Sequence, residues 1–543
     1  MKANLPPRRL IPRWRRTKSV LGMPEATFSH SESKKRQIDL DPEIFDQTLQ
    51  VWNATPSTGL LGDILSFSID PAFRPQIINF LRADTSTSSV STNIQARFIR
   101  QMLSDEEAST TPTLASWRDG LGICNHAIRR DVSTLRSILK ADPANPLALL
   151  DLAQFQLATG QTKRAEKSVL TALSLSPNNR IALRTLARLY VHKRDFQKAH
   201  NLIFKHARTA TDPWLMATEI ALAEVADTSS RFAAKGFKFA RDRMASNAHL
   251  SELAGALGGT ELKAGNMKRA REMFRLALLE PNDNVVAQAV THQHALAIDL
   301  SAPVQKQAVK SAHEAQTLLA WNALDCDTAE LHAFVWHDEE PFSSRPLQFL
   351  TTLYAAQRNY NSAALLAKRG LLADPKDPAL LANLAYVSAC SNDMTQAENV
   401  LHRLIALKEG KYNGIALATA GLMAMKDGRW ILGDELYEAA MRMFRERKEY
   451  EFEALCCAYF ARSSNDTGHP NRDAILLRAE DLCKHHPTPD AAIVLRLLDV
   501  DIQPSIQTSS RRLSQWVFDA KTESLIQLHG VTAPGAPPLL LKK

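Results

Sequence analysis

What this chain lacks narrows its chemistry before any motif is sought. Its six cysteines (Cys124, Cys326, Cys390, Cys456, Cys457 and Cys483) show no C-x-x-C spacing, and the adjacent pair at 456 and 457 is unsuited to a disulfide within one helix. That usage offers no zinc or dithiol motif and suits a reducing cytosol. No run of 18 apolar residues occurs, so no membrane span is expected. The basic N-terminus is not followed by the apolar core that a signal peptide needs. There is no H-E-x-x-H, and GALGG at 255–259 lacks the Lys-Ser/Thr of a phosphate loop. The expectation is a cytoplasmic protein without a metal or other cofactor.

What is present is ordinary in bulk and uneven in detail. Hydrophobic residues make up 45% and charged residues 23% of the chain, as in soluble globular proteins. A length of 543 residues exceeds one compact core, so the chain holds several domains or one elongated array. The formal charge of +8 is concentrated in the first 36 residues, where ten Lys or Arg meet only Glu25 and Glu32. Pro6, Pro7, Pro12 and Pro24 share that stretch. Such a composition buries no core of its own and predicts that 1–37 is disordered, or ordered only on a partner. Arg13, Arg15 and Arg16 could hold nucleic acid by counterion release, with Trp14 available for stacking.

A repeat dominates the rest. In Pro146 to Asn179, residues Leu149, Leu152, Ala153, Gly160, Ala165, Val169, Ala172 and Pro177 take the 4th, 7th, 8th, 15th, 20th, 24th, 27th and 32nd places, and the pattern returns 34 residues later. Places 4, 7 and 8 share one face of a first helix, and 20, 24 and 27 share one face of a second. Small residues at 8 and 20 let the two approach closely. Proline at 32 stops the second helix, since it donates no backbone hydrogen bond and restricts its predecessor. No such unit buries its apolar face alone, so neighbours must stack.

The second unit carries Leu183, Leu186, Ala187, Tyr190, Ala199, Ile203 and Ala207; the third, near 214–247, is degenerate; a fourth keeps Leu257, Gly258, Gly265, Ala270, Phe274 and Ala277. The phase lapses over 285–343 and resumes at Ser344, with further copies 34 residues on and from Gly414. These residues resemble the tetratricopeptide repeat family over roughly 145–283 and 344–447. The fold expected is all-α, a right-handed superhelical solenoid of antiparallel helix pairs. The organisation read is a disordered basic segment (1–37), a helical region of unassigned fold (38–116), a first array (117–283), divergent helical repeats (284–343), a second array (344–447), a helical cap (448–505), and a tail (506–543) whose RRLSQWVFDAKTESLIQL reads as a short β-hairpin.

The resemblance implies that first helices line a concave binding face. Carried onto this chain it gives Leu147, Leu150, Gln154, Leu157 and Ala158, then Ile181, Arg184, Arg188, Val191 and His192. Arg184, Arg188 and His192, spaced four apart, form one stripe that would suit an acidic peptide, carboxylate or phosphate. The clamp by which some members hold chaperone tails is absent, with Leu150 and Gln154 where it would begin. In the later array the same face gives Gln348, Thr352, Ala382, Asn383, Tyr386, Ala418, Leu422, Met425 and Lys426. That surface is more apolar, apt for an amphipathic helix or a segment of this chain itself.

Other polar clusters read as structural. HAFVWHDEE at 332–340 places His332 and His337 five apart, off one helix face, and reads as a helix end with solvated charges. His292 and His294 fall on opposite sides of a helix. The function expected is a non-enzymatic scaffold that binds a peptide or protein partner, with Gln154, Arg184, Arg188, His192, Asn383 and Tyr386 as binding residues. The alternative is a regulatory subunit that binds nucleic acid, or controls a nucleic-acid-acting effector, through its basic arm.

Overall fold

The computed structural model describes residues 9–14, 40–54, 60, 63, 64, 67, 73–83, 124–141, 143–296 and 312–500. Among them every regular element is a helix and no strand occurs. The helices run α1 Leu40–Ala54, α2 Arg74–Ala83, α3 Cys124–Ala141, α4 Pro146–Ala158, α5 Thr162–Leu175, α6 Arg180–His192, α7 Phe196–Phe204 and α8 Pro213–Val225. Then come α9 Ala233–Arg241, α10 Asn247–Lys263, α11 Met267–Ala277, α12 Asp283–Leu296, α13 His313–Asn322, α14 Cys326–Glu339, α15 Ser344–Ala356 and α16 Tyr360–Ala373. The last are α17 Pro378–Cys390, α18 Met394–Ala406, α19 Asn413–Lys426, α20 Trp430–Glu446, α21 Tyr450–Asp466, α22 Arg472–His485 and α23 Pro489–Arg496. The hairpin expected within 506–543 lies outside the described residues.

Two compact units result. An N-terminal unit takes Arg8–Ala315 with Asp338–Phe342, and a C-terminal unit takes Gln316–His337 with the described residues from Ser343 on.

Local chemistry explains the helix boundaries. First helices start where a short polar side chain precedes proline: Asn145 Oδ1 accepts from Ala148 N at 3.0 Å, Asp377 Oδ1 from Leu380 N at 2.9 Å, and Thr488 Oγ1 from Ala491 N at 3.2 Å. Each such cap stabilises its helix by about 1 kcal/mol. Between the helices of a pair, one residue turns left-handed: Gly160 at φ 76°, Arg194 at 61°, Arg358 at 65° and Asn392 at 61°. There Gly160 N bonds Leu157 O at 2.9 Å and Gln161 N bonds Gln156 O at 2.7 Å, the paired bonds that satisfy the last carbonyls of a helix. Close approach comes from the small residues. Ala153, Ala165, Ala187 and Ala199 are all fully buried, and a Cβ on Gly258 would sit 2.8 Å from the Phe274 ring.

In the N-terminal unit, α6, α8, α10 and α12 stand side by side, the first three backed by α7, α9 and α11. Ahead of them, Phe45 and Trp52 of α1, Ile77 of α2 and Phe73 just before α2 form a small aromatic core that closes on Leu147 of α4. Asp63 accepts from Asn179 at 3.0 Å, tying this core to the cap of α6; burial pushes the Asp63 carboxyl up to about 6.

The C-terminal unit closes on itself. Its first helices pack in sequence, α15 on α17, α17 on α19, α19 on α21, α21 on α23, and α23 returns to α15. The centre of this ring is solid. Tyr386 and Tyr459 meet edge to face with centroids 5.1 Å apart, and Met425 and Arg462 are almost wholly buried beside the same helices. The Arg462 guanidinium donates to Ala355 O at 3.2 Å, Ala356 O at 3.0 Å and the Tyr360 hydroxyl at 2.9 Å. Negative charge at the C-terminal end of α15 serves as its counter-charge. The open apolar face expected of the later array is therefore absent at Asn383 and Tyr386.

One expectation at the other end of the chain also fails where it can be seen. Residues 9–14 are seated on the helices without regular secondary structure, Ile11 N bonding back to Arg9 O at 2.8 Å, with Leu10 and Trp14 each 2% exposed. The composition argument holds for the segment alone; the apolar surface it lacks is supplied by helices far along the sequence.

Candidate peptide-binding groove

Arg9 to Trp14 lie across the first helices of the N-terminal unit. Leu10 enters an apolar cluster with Met216, Ile220, Leu253, Leu257 and Val285, contributed by α8, α10 and α12. Leu10 Cδ2 lies against Gly255, at ordinary contact distance (3.5 Å) from where a Cβ there would sit. Trp14 enters a second cluster with Leu150 and Leu157 of α4, Leu186 of α6, and Phe342, whose ring centroid lies 4.9 Å from the indole. Two amides read the peptide backbone between these anchors. Gln154 Nε2 donates to Trp14 O at 2.6 Å, and Asn284 Nδ2 donates to Ile11 O at 3.2 Å. Such carboxamide bonds to main-chain carbonyls fix an extended segment whatever its side chains.

Arg13 supplies the specificity. Its guanidinium, 10% exposed, pairs with Asp283 at the start of α12, with Glu314 at the start of α13, and with Glu340 Oε2 at 3.2 Å. Burial by itself lowers the stability of the cation, but Glu314, Asp283, Glu340 and Glu339 more than offset this and raise its affinity for the proton. Arg9 adds a looser pair with Glu224 at 3.5 Å.

The expected anion stripe is dismantled by the same geometry. Arg184 is buried and paired with Glu252 of α10, its guanidinium 4.9 Å from the Trp214 ring centroid. Glu252 in turn accepts from Asn282 at 2.9 Å and from Asn284 at 3.2 Å. Arg188 stacks on Phe342 at 5.1 Å and His192 meets the same ring at 5.8 Å, so both stand behind the aromatic wall of the Trp14 pocket. Of the six residues expected to bind peptide, Gln154 contacts one directly. Asn383 instead donates to Thr351 Oγ1 at 2.7 Å and Thr352 Oγ1 at 3.2 Å within the closed ring, and Tyr386 is buried against Tyr459. Arg13 and Trp14, expected on a nucleic acid, are held by the protein; Arg15 and Arg16 lie outside the described residues.

Sequence reasoning missed Leu10, Asp283, Asn284, Glu314, Glu340 and Phe342. The acidic run at 337–340 was visible, but as a solvated helix end. In the structure Glu339 is 8% and Glu340 4% exposed, because Arg13 covers them. A partner 327 positions away leaves no periodic trace.

Other clusters offer less chemistry. The Ser230 hydroxyl bonds Glu219, whose other oxygen faces His200 Nε2 at 3.0 Å, so the serine meets an acid and not the imidazole a nucleophile needs. No three candidate metal ligands converge among the described residues, nor is any helix there long and apolar enough to cross a membrane. Cys457 is buried, its thiol pushed up to about 12 by desolvation, the behaviour of a core residue.

No family model matches the chain, and no curated protein matches it either. One solved structure to which it is similar is that of Naa15/Naa10 bound to HypK-THB, at 11% identity and a TM-score of 0.21, covering 93% of this chain and 84% of that one. At that score the likeness bears on neither partner nor activity.

Proposed function

We propose that this chain is a non-enzymatic, cytoplasmic scaffold whose N-terminal unit binds a protein segment in extended form across its first helices. The single observation that supports this most is the seating of Arg9–Trp14: two apolar pockets, an acidic pocket and two backbone-reading amides act together on six consecutive residues. The tetratricopeptide-like pairing, and the right-handed stacking that goes with it, belong to the same proposal. Filled by its own side chains, the C-terminal unit serves as a rigid body and offers no groove of this kind. The test is cross-linking mass spectrometry on affinity-purified full-length protein. Partner cross-links should map to α4, α6, α8, α10 and α12, and should drop when Gln154→Ala and Asn284→Ala are combined. Partners that map elsewhere and ignore both substitutions would remove the reading.

A further inference from the structure

Four carboxylates beside one arginine do not make an indifferent groove. Asp283, Glu314 and Glu340 pair with Arg13 directly, and Glu339 adds to the field around it. All four are at least nine-tenths buried. An occupant that covered this cluster without bringing a cation would hold like charges out of water with only the His313 imidazole, 3.8 Å from Glu339, beside them, a costly state for any folded protein. Whatever occupies the groove must therefore bring a cation, and the arrangement of acids fits a guanidinium better than an ammonium. Glu314 and Glu340 accept from the two terminal nitrogens, and Asp283 lies against Nε as an ion pair without the alignment of a hydrogen bond, so both prongs of the fork are gripped. An ammonium has three donors of its own but no planar fork, so it matches acids set along both prongs of a guanidinium less well.

The pockets on either side set a register. The Trp14 pocket takes the residue directly after the arginine, walled by Phe342 and floored by Leu150 and Leu157. Leu10, three residues before it, fills the second pocket. Pro12, between them and buried, has no N–H to satisfy and favours extended backbone.

We infer that the groove is a reader of arginine-anchored basic segments: a partner chain carrying Leu-x-x-Arg-Trp, or an aromatic equivalent, docks where Arg9–Trp14 now lie and displaces them. This rests on the peptide-binding reading above and names the class of partner and its regulation. The resident segment is tethered, so an incoming segment competes with an effective concentration on the order of 1 mM. The intact chain then binds partners weakly, and whatever draws residues 9–14 away opens the site.

The experiment uses full-length protein and a fluorescent synthetic peptide of residues 8–16, read by anisotropy. The full-length Trp14→Ala variant, whose own segment has lost its aromatic anchor, should bind the peptide at least roughly tenfold more tightly than the unaltered chain, as tethered competition requires. Replacing the peptide's arginine at position 13 by lysine should weaken binding about tenfold or more, and by alanine still further. In the Glu314→Gln, Glu340→Gln chain that preference should vanish. If the alanine peptide binds as well as the parent, the arginine-anchored inference falls while the groove survives. If no peptide binds a Trp14→Ala chain whose helicity is intact, the groove reading falls with it. Should Trp14→Ala lower the melting temperature too far for titration, rescue is measured instead. Stabilisation by the parent peptide and not by the alanine peptide supports the inference; equal stabilisation, or none, overturns it.

Discussion

Replacing Arg13 by methionine should destabilise the N-terminal unit sharply although the residue belongs to no helix. Methionine keeps the length and apolar stem of the side chain and removes only the charge and the fork. Two oxygens at about 3 Å interact with the guanidinium by roughly 5 kcal/mol each at an effective dielectric constant near 20, before desolvation is subtracted. Measured losses from breaking a buried ion pair by removing one partner are about 3–5 kcal/mol. That range is an upper limit here. The six-residue segment can lift away and readmit water to Asp283, Glu314 and Glu340, so the loss cannot exceed what seating the segment contributes. Calorimetry of the full-length protein should show the transition of this unit lowered by up to roughly 5–8 °C, since an unfolding entropy of ~2.1 cal/mol/K per residue over Arg8–Ala315 and Asp338–Phe342 gives about 1.5 °C per kcal/mol, with the transition of the C-terminal unit unmoved. In a chain already carrying Asp283→Asn, Glu314→Gln and Glu340→Gln, the same Arg13→Met change should cost less than about 1 kcal/mol, because no charge is then stranded. An equal loss in both backgrounds, or a shift under about 2 °C in the first, would refute the charge argument.

Three further outcomes follow from the geometry. Arg462→Met in the closed ring leaves Ala356 O without its guanidinium donor and Ala355 O with only backbone N–H groups such as Arg358 N at 3.3 Å, and should cost about 1–3 kcal/mol in urea unfolding of the C-terminal unit; a loss under ~0.5 kcal/mol would show that water replaces the guanidinium. His337 is buried with neither ring nitrogen partnered, and burial, aided by Arg369, holds its pKa well below the ordinary value of 6.5. The unfolded chain therefore takes up a proton first as pH falls, so this contribution is complete above about 6.5 and is lost below it; His337→Leu should flatten the acid limb of melting temperature against pH, and an unchanged limb would count against it. Arg194 and Arg358 hold left-handed backbone that glycine adopts without strain, so Arg194→Gly with Arg358→Gly should leave stability level or raise it by up to ~1 kcal/mol, despite glycine's entropy cost; a clear loss would show that the arginine side chains matter more than the turn.

Much of the architecture was legible because it is written locally. Pro146, Pro213, Pro378 and Pro489 mark helix starts, small residues such as Ala153 and Ala165 mark close crossings, and the 34-residue phase follows from helices that must lean on their neighbours. Local rules also located the residues that carry chemistry: RRLIPRWRR as a cationic stretch, HDEE as an anionic one, Gln154 on a first-helix face. None of them says that the first stretch neutralises the second.

That pairing was decided by the tertiary structure alone. Arg13, Asp283, Glu314 and Glu340 come together because helices far apart along the chain are carried to one side of the N-terminal unit, and Trp14 is apolar ballast for pockets built from α4 and α6. The same holds for the second array, where the pattern permits an open face but the return of α23 onto α15 closes it over Tyr386 and Arg462. Helical periodicity is set by contacts within a turn or two and so survives in one dimension. Which charge meets which is set by contacts between residues as much as 327 positions apart, which no single repeat records.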